Sequence, residues 1–316
     1  MTLLPITPVP PTPLPATTVL VGYTQDQAGR EALALGRLLM GQTEAHQTKA
    51  GQLIVCTVVP EVWNHPSLSA VDQEYARYLD EHAQETLASA RNLLQDVPQV
   101  QVQYLKHAAK STTAGLSEAA AQAGADVLVV GSARSNGGRL SLGSVSGELL
   151  HLSSLPVALA PQGFEPQPGQ VVTRLSCAYA GTEVSNSTVL EALRLAGRLG
   201  VPLRVVAFAV RDRQMYPSLA GYKAENMIVD AWRERTKSAL ERLQEQLAGH
   251  SPPISVALAD GESWEEALGQ VDWHPGEVLA LGSSRMGILA RVFLGSNASK
   301  IIRASPVPVL VLPKVG

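Results

Sequence analysis

The 316-residue chain is 45% hydrophobic with a formal charge of −3, a balance that fits a globular protein of about two domains and excludes a disordered polyelectrolyte. It has no excess of basic residues from which to build a nucleic-acid face. Its longest apolar runs, such as Val307 to Leu312, fall far short of the roughly 20 residues that a bilayer demands, which excludes a membrane-spanning helix.

Residues 1–16 are proline-rich, with neither a basic start nor an apolar core. They read as a disordered tail rather than a signal peptide, and a cytoplasmic location is expected. Thr17 to Gly22 is a short apolar run that reads as a buried strand, and Glu31 to Gly41 reads as a helix closed by glycine. Gln52 to Val59 is expected as a second strand, followed by a long helix with Tyr75, Leu79, Leu87 and Leu94 on one stripe. Alternation marks Val100 to Leu105 as a third strand. Val127 to Val130 is apolar without interruption, which suits a parallel strand covered on both faces. From Gly131 a glycine-containing loop leads to Gly143 and Ser144, where a helix begins, and Val157 to Ala160 is a fifth strand.

Pro161 to Gln170 breaks this pattern, and beyond it the series returns. Leu175 to Ala178 is strand-like, and Val189, Leu193, Ala196 and Leu199 lie on one face of a helix that Gly200 and Pro202 terminate. Leu203 to Val210, a helix striped by Trp232, Leu240, Leu243 and Leu247, then Ile254 to Leu258, Val278 to Leu281 and Val309 to Leu312 complete the second copy. Strands alternating with helices predict a parallel sheet wrapped on both sides. Gly131 and Gly282 lie 151 residues apart, as do Pro66 and Pro217, while Gly143 and Gly295 lie 152 apart. A duplication of this length predicts domains at 17–161 and 172–316, joined by a linker at 162–171.

Cys56 and Cys177 each sit inside an apolar strand-like run and read as buried free thiols. Neither Cys-x-x-Cys nor His-x-x-x-His spacing occurs, so no metal site is expected.

In an open parallel sheet, ligands settle outside the carboxyl ends of the strands. The fourth strands end there, at Gly131 and Gly282, and helices begin at Gly143-Ser144 and Gly295-Ser296. The first N–H groups of a helix have no internal partner and carry the positive end of its dipole. Glycine lets an anion come close and serine can donate to it, so this pattern suits phosphate. It equally suits a plain turn and helix cap, since serine caps helices with or without a ligand. The chain has neither a Walker motif nor a dinucleotide fingerprint. Arg134, Arg139, Arg285, Arg291 and Lys300 read either as phosphate partners or as solvated surface charge.

A strand ending in glycine, a glycine-serine pair about a dozen positions on, a helix and a Pro-Val strand together resemble the signature of the universal stress protein family, in its tandem two-domain form. The resemblance implies an α/β fold of two tandem five-stranded parallel-sheet domains, adenine-nucleotide α-hydrolase-like, each with strand order 3-2-1-4-5. Members that bind ATP hold its phosphates on a Gly-x-x-Gly-x9-Gly-Ser/Thr loop and place an aspartate after the first strand near the adenosine. Carried onto this chain, the candidate nucleotide-binding positions are Gly131, Gly143, Ser144, Val145 and Ser146, with Gly282, Gly295, Ser296 and Asn297 in the second copy. Arg134 and Arg285 replace the second glycine, and Thr24 and Ala180 stand where the family often has the aspartate. Asp26 reads as a helix cap.

What the resemblance implies is a cytoplasmic stress-response protein binding ATP or another adenine nucleotide, with Mg2+ only alongside it. The alternative is a scaffold of the same fold that binds no nucleotide and serves protein association. Turnover beyond slow ATP hydrolysis is not expected, because phosphoryl transfer needs a metal carboxylate and a positioned base. Glu148, one turn into the helix of the first copy, is the nearest carboxylate and is expected to be exposed. Each fifth strand would leave an apolar edge if its domain stood alone. The family's dimers pair these strands antiparallel, which implies the same pairing within this chain and leaves homodimerisation open.

Overall fold

The computed structural model describes residues 17–40, 51–61, 70–95, 101–133, 140–210, 222–285, 292–293 and 296–313. The proline-rich stretch 1–16, Pro66, Pro217 and Gly295 lie outside them, as do Arg134, Arg139, Arg291 and the side chains of Trp232 and Arg285.

The first half runs β1 (Thr18–Gly22), α1 (Gln27–Met40), β2 (Gln52–Pro60), α2 (Ala70–Leu93), β3 (Gln101–Ala109), α3 (Thr112–Gln122), β4 (Val127–Gly131), α4 (Ser144–Leu152) and β5 (Val157–Ala160). Residues 161–173 hold neither helix nor strand. The second half runs β6 (Arg174–Tyr179), α5 (Glu183–Leu199), β7 (Leu203–Val210), α6 (Tyr222–Gln246), β8 (Ile254–Gly261), α7 (Trp264–Gly269) and β9 (Glu277–Gly282). Then come β10 (Ser284–Arg285), β11 (Val292–Phe293), α8 (Ser296–Ala304) and β12 (Val309–Leu312).

Ten of the strands form one sheet in the order β3-β2-β1-β4-β5-β12-β9-β6-β7-β8, so each half has its strands in the expected order 3-2-1-4-5. All neighbours are parallel except β5 and β12, which pair antiparallel with Val309 opposite Leu159, Leu310 opposite Ala158 and Val311 opposite Val157. The fifth strands therefore close each other's edge inside one chain, and every residue of both is buried.

Alternation along each strand sends side chains to opposite faces, and helices cover both. Val19, Val21 and Val55 pack with α1 in a core that continues into Cys177, Val189 and Leu240 of the second half. Leu20, Ile54 and Leu128 pack with Leu116 and Leu149 in the opposite core, which continues into Leu268, Leu279 and Ile302. Both cysteines are free and buried. Val189, Leu193 and Ala196 are buried, and Gly200 at φ 68° ends α5 in the left-handed region that favours glycine.

One expectation needs correction. Tyr75 is 51% exposed and lies outside the inward stripe of α2, which is carried by Ala83, Thr86 and Ala90, with Leu94 buried just past the helix end. Small residues let that helix lie close to the sheet, so its largest apolar side chains are not its buried ones. The second glycine loop also carries a ladder, with Ser284 opposite Phe293 and Arg285 opposite Val292. Strands of two residues carry no periodicity for a sequence to display.

Candidate functional site

The carboxyl ends of β1 and β4 and the start of α1 meet at the first loop. A Cβ on Gly131 would lie 2.2 Å from the Ala28 carbonyl oxygen in α1, so this position admits only glycine. Ser132 is buried and donates its N–H to the Ala160 carbonyl (3.1 Å), which fixes where the chain leaves the sheet. Ala133 donates to the Ser141 carbonyl (2.8 Å) and so closes the loop across residues 134–139. Leu140, 1% exposed, anchors the return.

Gly143 is the N-cap of α4, in extended backbone at φ −80° and ψ −178°. It has no side chain with which to cap the helix. Its N–H donates instead to Ser146 Oγ (2.9 Å), which turns back over the first turn. Ser146 is 4% exposed, and its hydroxyl is committed to the protein. Ser144 is exposed and Val145 half-buried. The fold thus brings Gly131, Gly143, Ser144, Val145 and Ser146 to one end of the sheet, with helix amides for an anion and no carboxylate among them.

The second copy differs in detail. A Cβ on Gly282 would lie 2.2 Å from Thr188 Oγ1, again a close approach to the helix after the half's first strand, here α5. Ser283 donates both its N–H (2.9 Å) and its hydroxyl (3.1 Å) to the Leu312 carbonyl. Ser296 and Asn297 are exposed at the start of α8, as is Lys300 one turn on.

At the ends of the first strands the family's aspartate has no counterpart. Thr24 Oγ1 donates to Asp26 Oδ1 (2.9 Å), and the same oxygen accepts the Gly29 N–H (2.8 Å), so Asp26 caps α1. Ala180 is exposed, and Thr182 caps α5 by accepting the Ser185 N–H (3.2 Å). Glu148 is exposed and accepts from Thr113 Oγ1 (2.7 Å). Among the described residues no group of three or more His, Cys, Asp or Glu could hold a metal. No helix among them is long and apolar enough to cross a membrane.

Sequence reasoning missed a buried ionic cluster at the opposite end of the second half. Glu277 accepts from Arg174 Nη2 (2.7 Å), the His274 N–H (3.0 Å), Ser176 Oγ and Arg204 Nη2. Arg204 also reaches the Asp272 carbonyl (3.1 Å) and lies over the Trp273 ring, 5.2 Å from its centroid. These groups answer one another except at Arg174 Nε, which is buried without a hydrogen-bond partner, and the cluster reads as a structural network rather than a ligand site. Lone charges near strand starts gave no signal that they would converge.

Similarity to known proteins agrees with the fold. The profile of the Universal stress protein family matches residues 15–161 and again 172–313. A universal stress protein of Mycobacterium tuberculosis (strain ATCC 25618 / H37Rv) is 40% identical over 299 residues, spanning 94% of this chain and 99% of that protein. One from Mycobacterium bovis matches to the same degree. A crystal structure of a universal stress protein from Archaeoglobus fulgidus DSM 4304 superposes with TM-score 0.61 at 18% identity, covering 94% of this chain and 98% of that one.

Proposed function

This chain belongs to the universal stress protein family, and from that premise we propose that it is a cytoplasmic stress-response protein binding an adenine nucleotide such as ATP at the two glycine-serine helix starts. Gly143, Ser144, Val145 and Ser146 hold the phosphates in the first half, with Gly131 leaving room for the loop; Gly282, Gly295, Ser296 and Asn297 do so in the second. The observation that carries the reading is the uncapped start of α4, where Gly143 places no side chain over the first-turn amides. Mg2+ enters only with the nucleotide. Hydrolysis is at most slow, because Glu148, the nearest carboxylate on α4, is engaged by Thr113. Calorimetry with ATP, ADP and AMP on protein stripped of carried-over ligand tests the reading. Saturable heat supports it, and silence from both halves at millimolar nucleotide overturns it.

A scaffold that binds no nucleotide is the second reading. It is favoured by Thr24 and Ala180, which leave the nucleoside end without a carboxylate. Bulky substitutions at Gly143 and Gly295 then leave the stress phenotype intact; loss of the phenotype in a folded protein rejects the scaffold.

A further inference from the structure

The ten-stranded sheet ends at β3 on one side and at β8 on the other, and among the described residues no strand lies beyond either. An end strand turns every second N–H and C=O away from its neighbour, and those groups can pair with another strand. Leu203 donates to the Pro253 carbonyl (3.0 Å), so Pro253 faces β7. From there the register runs without a bulge, from Leu203 opposite Ile254 to Val210 opposite Gly261. The outward backbone groups of β8 therefore belong to Ile254, Val256, Leu258 and Asp260. On β3, Ala109 faces β2 and accepts the Glu61 N–H (3.0 Å), so the outward groups there belong to Val102, Tyr104, Lys106 and Ala108.

The two ends are guarded differently. From Leu128 and Leu279, which are equivalent in the repeat, the registers pass through Leu20 and Ser176 to Ile54 and Arg204, and on to Gln103 and Ser255. Three positions along, Lys106 on β3 and Leu258 on β8 therefore occupy equivalent places. Lys106 is exposed and paired with Asp80, and Arg91 lies over the neighbouring Tyr104 ring, 4.6 Å from its centroid. Lysine on an edge strand opposes pairing, because a docked strand would strip water from its charge. β8 has no lysine or arginine from Ile254 to Gly261. Leu258 is 38% exposed, and Asp260, the one charge on the strand, is held by Arg233.

We propose that β8 is a self-association edge, where the β8 strands of two copies of this chain pair antiparallel about a two-fold axis at Ala257. This register sets Val256 opposite the partner's Leu258 and Ile254 opposite the partner's Asp260. All four outward residues of each strand then exchange hydrogen bonds, and the two Asp260 carboxylates stand at opposite ends of the pairing. A second copy is the occupant because β8 is its own complement, and the chain already closes two like edges by the same operation, β5 against β12. Lys106 opposes β3 as the mate.

Sedimentation of the full-length protein over a dilution series tests this with wild type, Leu258→Lys and Leu258→Pro. Lysine restores the guard of the first half. Proline removes the outward N–H at position 258 and spares the bonds to β7. The wild type should sediment at twice the mass of the chain at about 10 μM, and each variant should raise the dissociation constant about tenfold or more with an unchanged far-ultraviolet spectrum. Ala257→Cys reads the register. Its two Cα atoms would stand about 4.5 Å apart, within disulfide reach, whereas those of Ser255→Cys would stand about 13 Å apart. Mild oxidation should therefore link Ala257→Cys into a covalent dimer and leave Ser255→Cys unlinked, with Cys56 and Cys177 buried and taking no part. A wild type that stays monomeric across the series overturns the proposal. So does a dimer that both Leu258 variants leave intact, or one in which Ala257→Cys links no faster than Ser255→Cys.

Discussion

Arg204 and Ser176 stand directly opposite each other on β7 and β6, and Arg204 Nε donates to Ser176 Oγ at 2.9 Å. The positions they fill are those that Ile54 and Leu20, opposite each other on β2 and β1, fill in the first half. One duplicated scaffold therefore holds an apolar pair in one copy and a buried charge network in the other, closed by Glu277.

Removing one partner from such a network strands the rest. Glu277 has no side-chain exposure and Arg204 about a tenth, so Glu277→Gln should cost about 3–5 kcal/mol in urea unfolding at neutral pH. Burial alone would raise the Glu277 carboxyl, but hydrogen bonds from Arg174, Ser176 and the His274 N–H, with the Arg204 charge, hold it below the ordinary carboxylate range. A depressed acid stabilises above its unfolded value, about 4.3, and loses that contribution as pH falls through its folded value. The wild-type and variant midpoints should therefore differ most at neutral pH and converge in acid. A constant gap across that range contradicts the network.

The β5–β12 pairing makes the two halves one sheet independently of the covalent linker. With a protease site inserted among the exposed residues Gln167 to Gly169, the nicked protein should still elute as one particle containing both fragments. Separation of the fragments without denaturant would show that the linker, not the strands, holds the halves together.

Burial pushes the Cys56 and Cys177 thiols up to about 12. A thiol reagent at about pH 8 should leave native protein unreacted and titrate both groups once it is unfolded. Fast labelling of either thiol in the native state contradicts the packing.

Two glycines should respond in opposite directions. Gly131→Ala drives a Cβ to 2.2 Å from the Ala28 backbone, an overpacking that should cost about 1–3 kcal/mol or more. Gly147, inside α4, has open space where a Cβ would stand, with no neighbouring atom within 4 Å, so Gly147→Ala should stabilise by about 0.5–1 kcal/mol. Thermal unfolding of the pair orders them.

Much of this architecture was legible in the sequence, because uninterrupted runs such as Val127 to Val130 and the period of Val189, Leu193 and Ala196 record burial directly. The repeat located the loops, and Asp26 was readable as a cap from its place before α1. What stayed hidden depends on long-range geometry. Gln162 meets Ala133 across 29 positions, and Glu277 meets Arg174 across 103, contacts that no local pattern encodes. Ser146 was readable as part of the helix start, but not that its hydroxyl would bend back to Gly143.

The most direct test follows the backbone amides of Ser144, Val145 and Ser146 by NMR while Mg-ATP is added. The account predicts saturable shifts at these three amides and at Ala133, lost in Gly143→Val, which the extended backbone at Gly143 admits but whose Cβ would press on Ala133 Cβ at 2.9 Å. Unmoved amides at the start of α4 in the presence of millimolar ATP would contradict it.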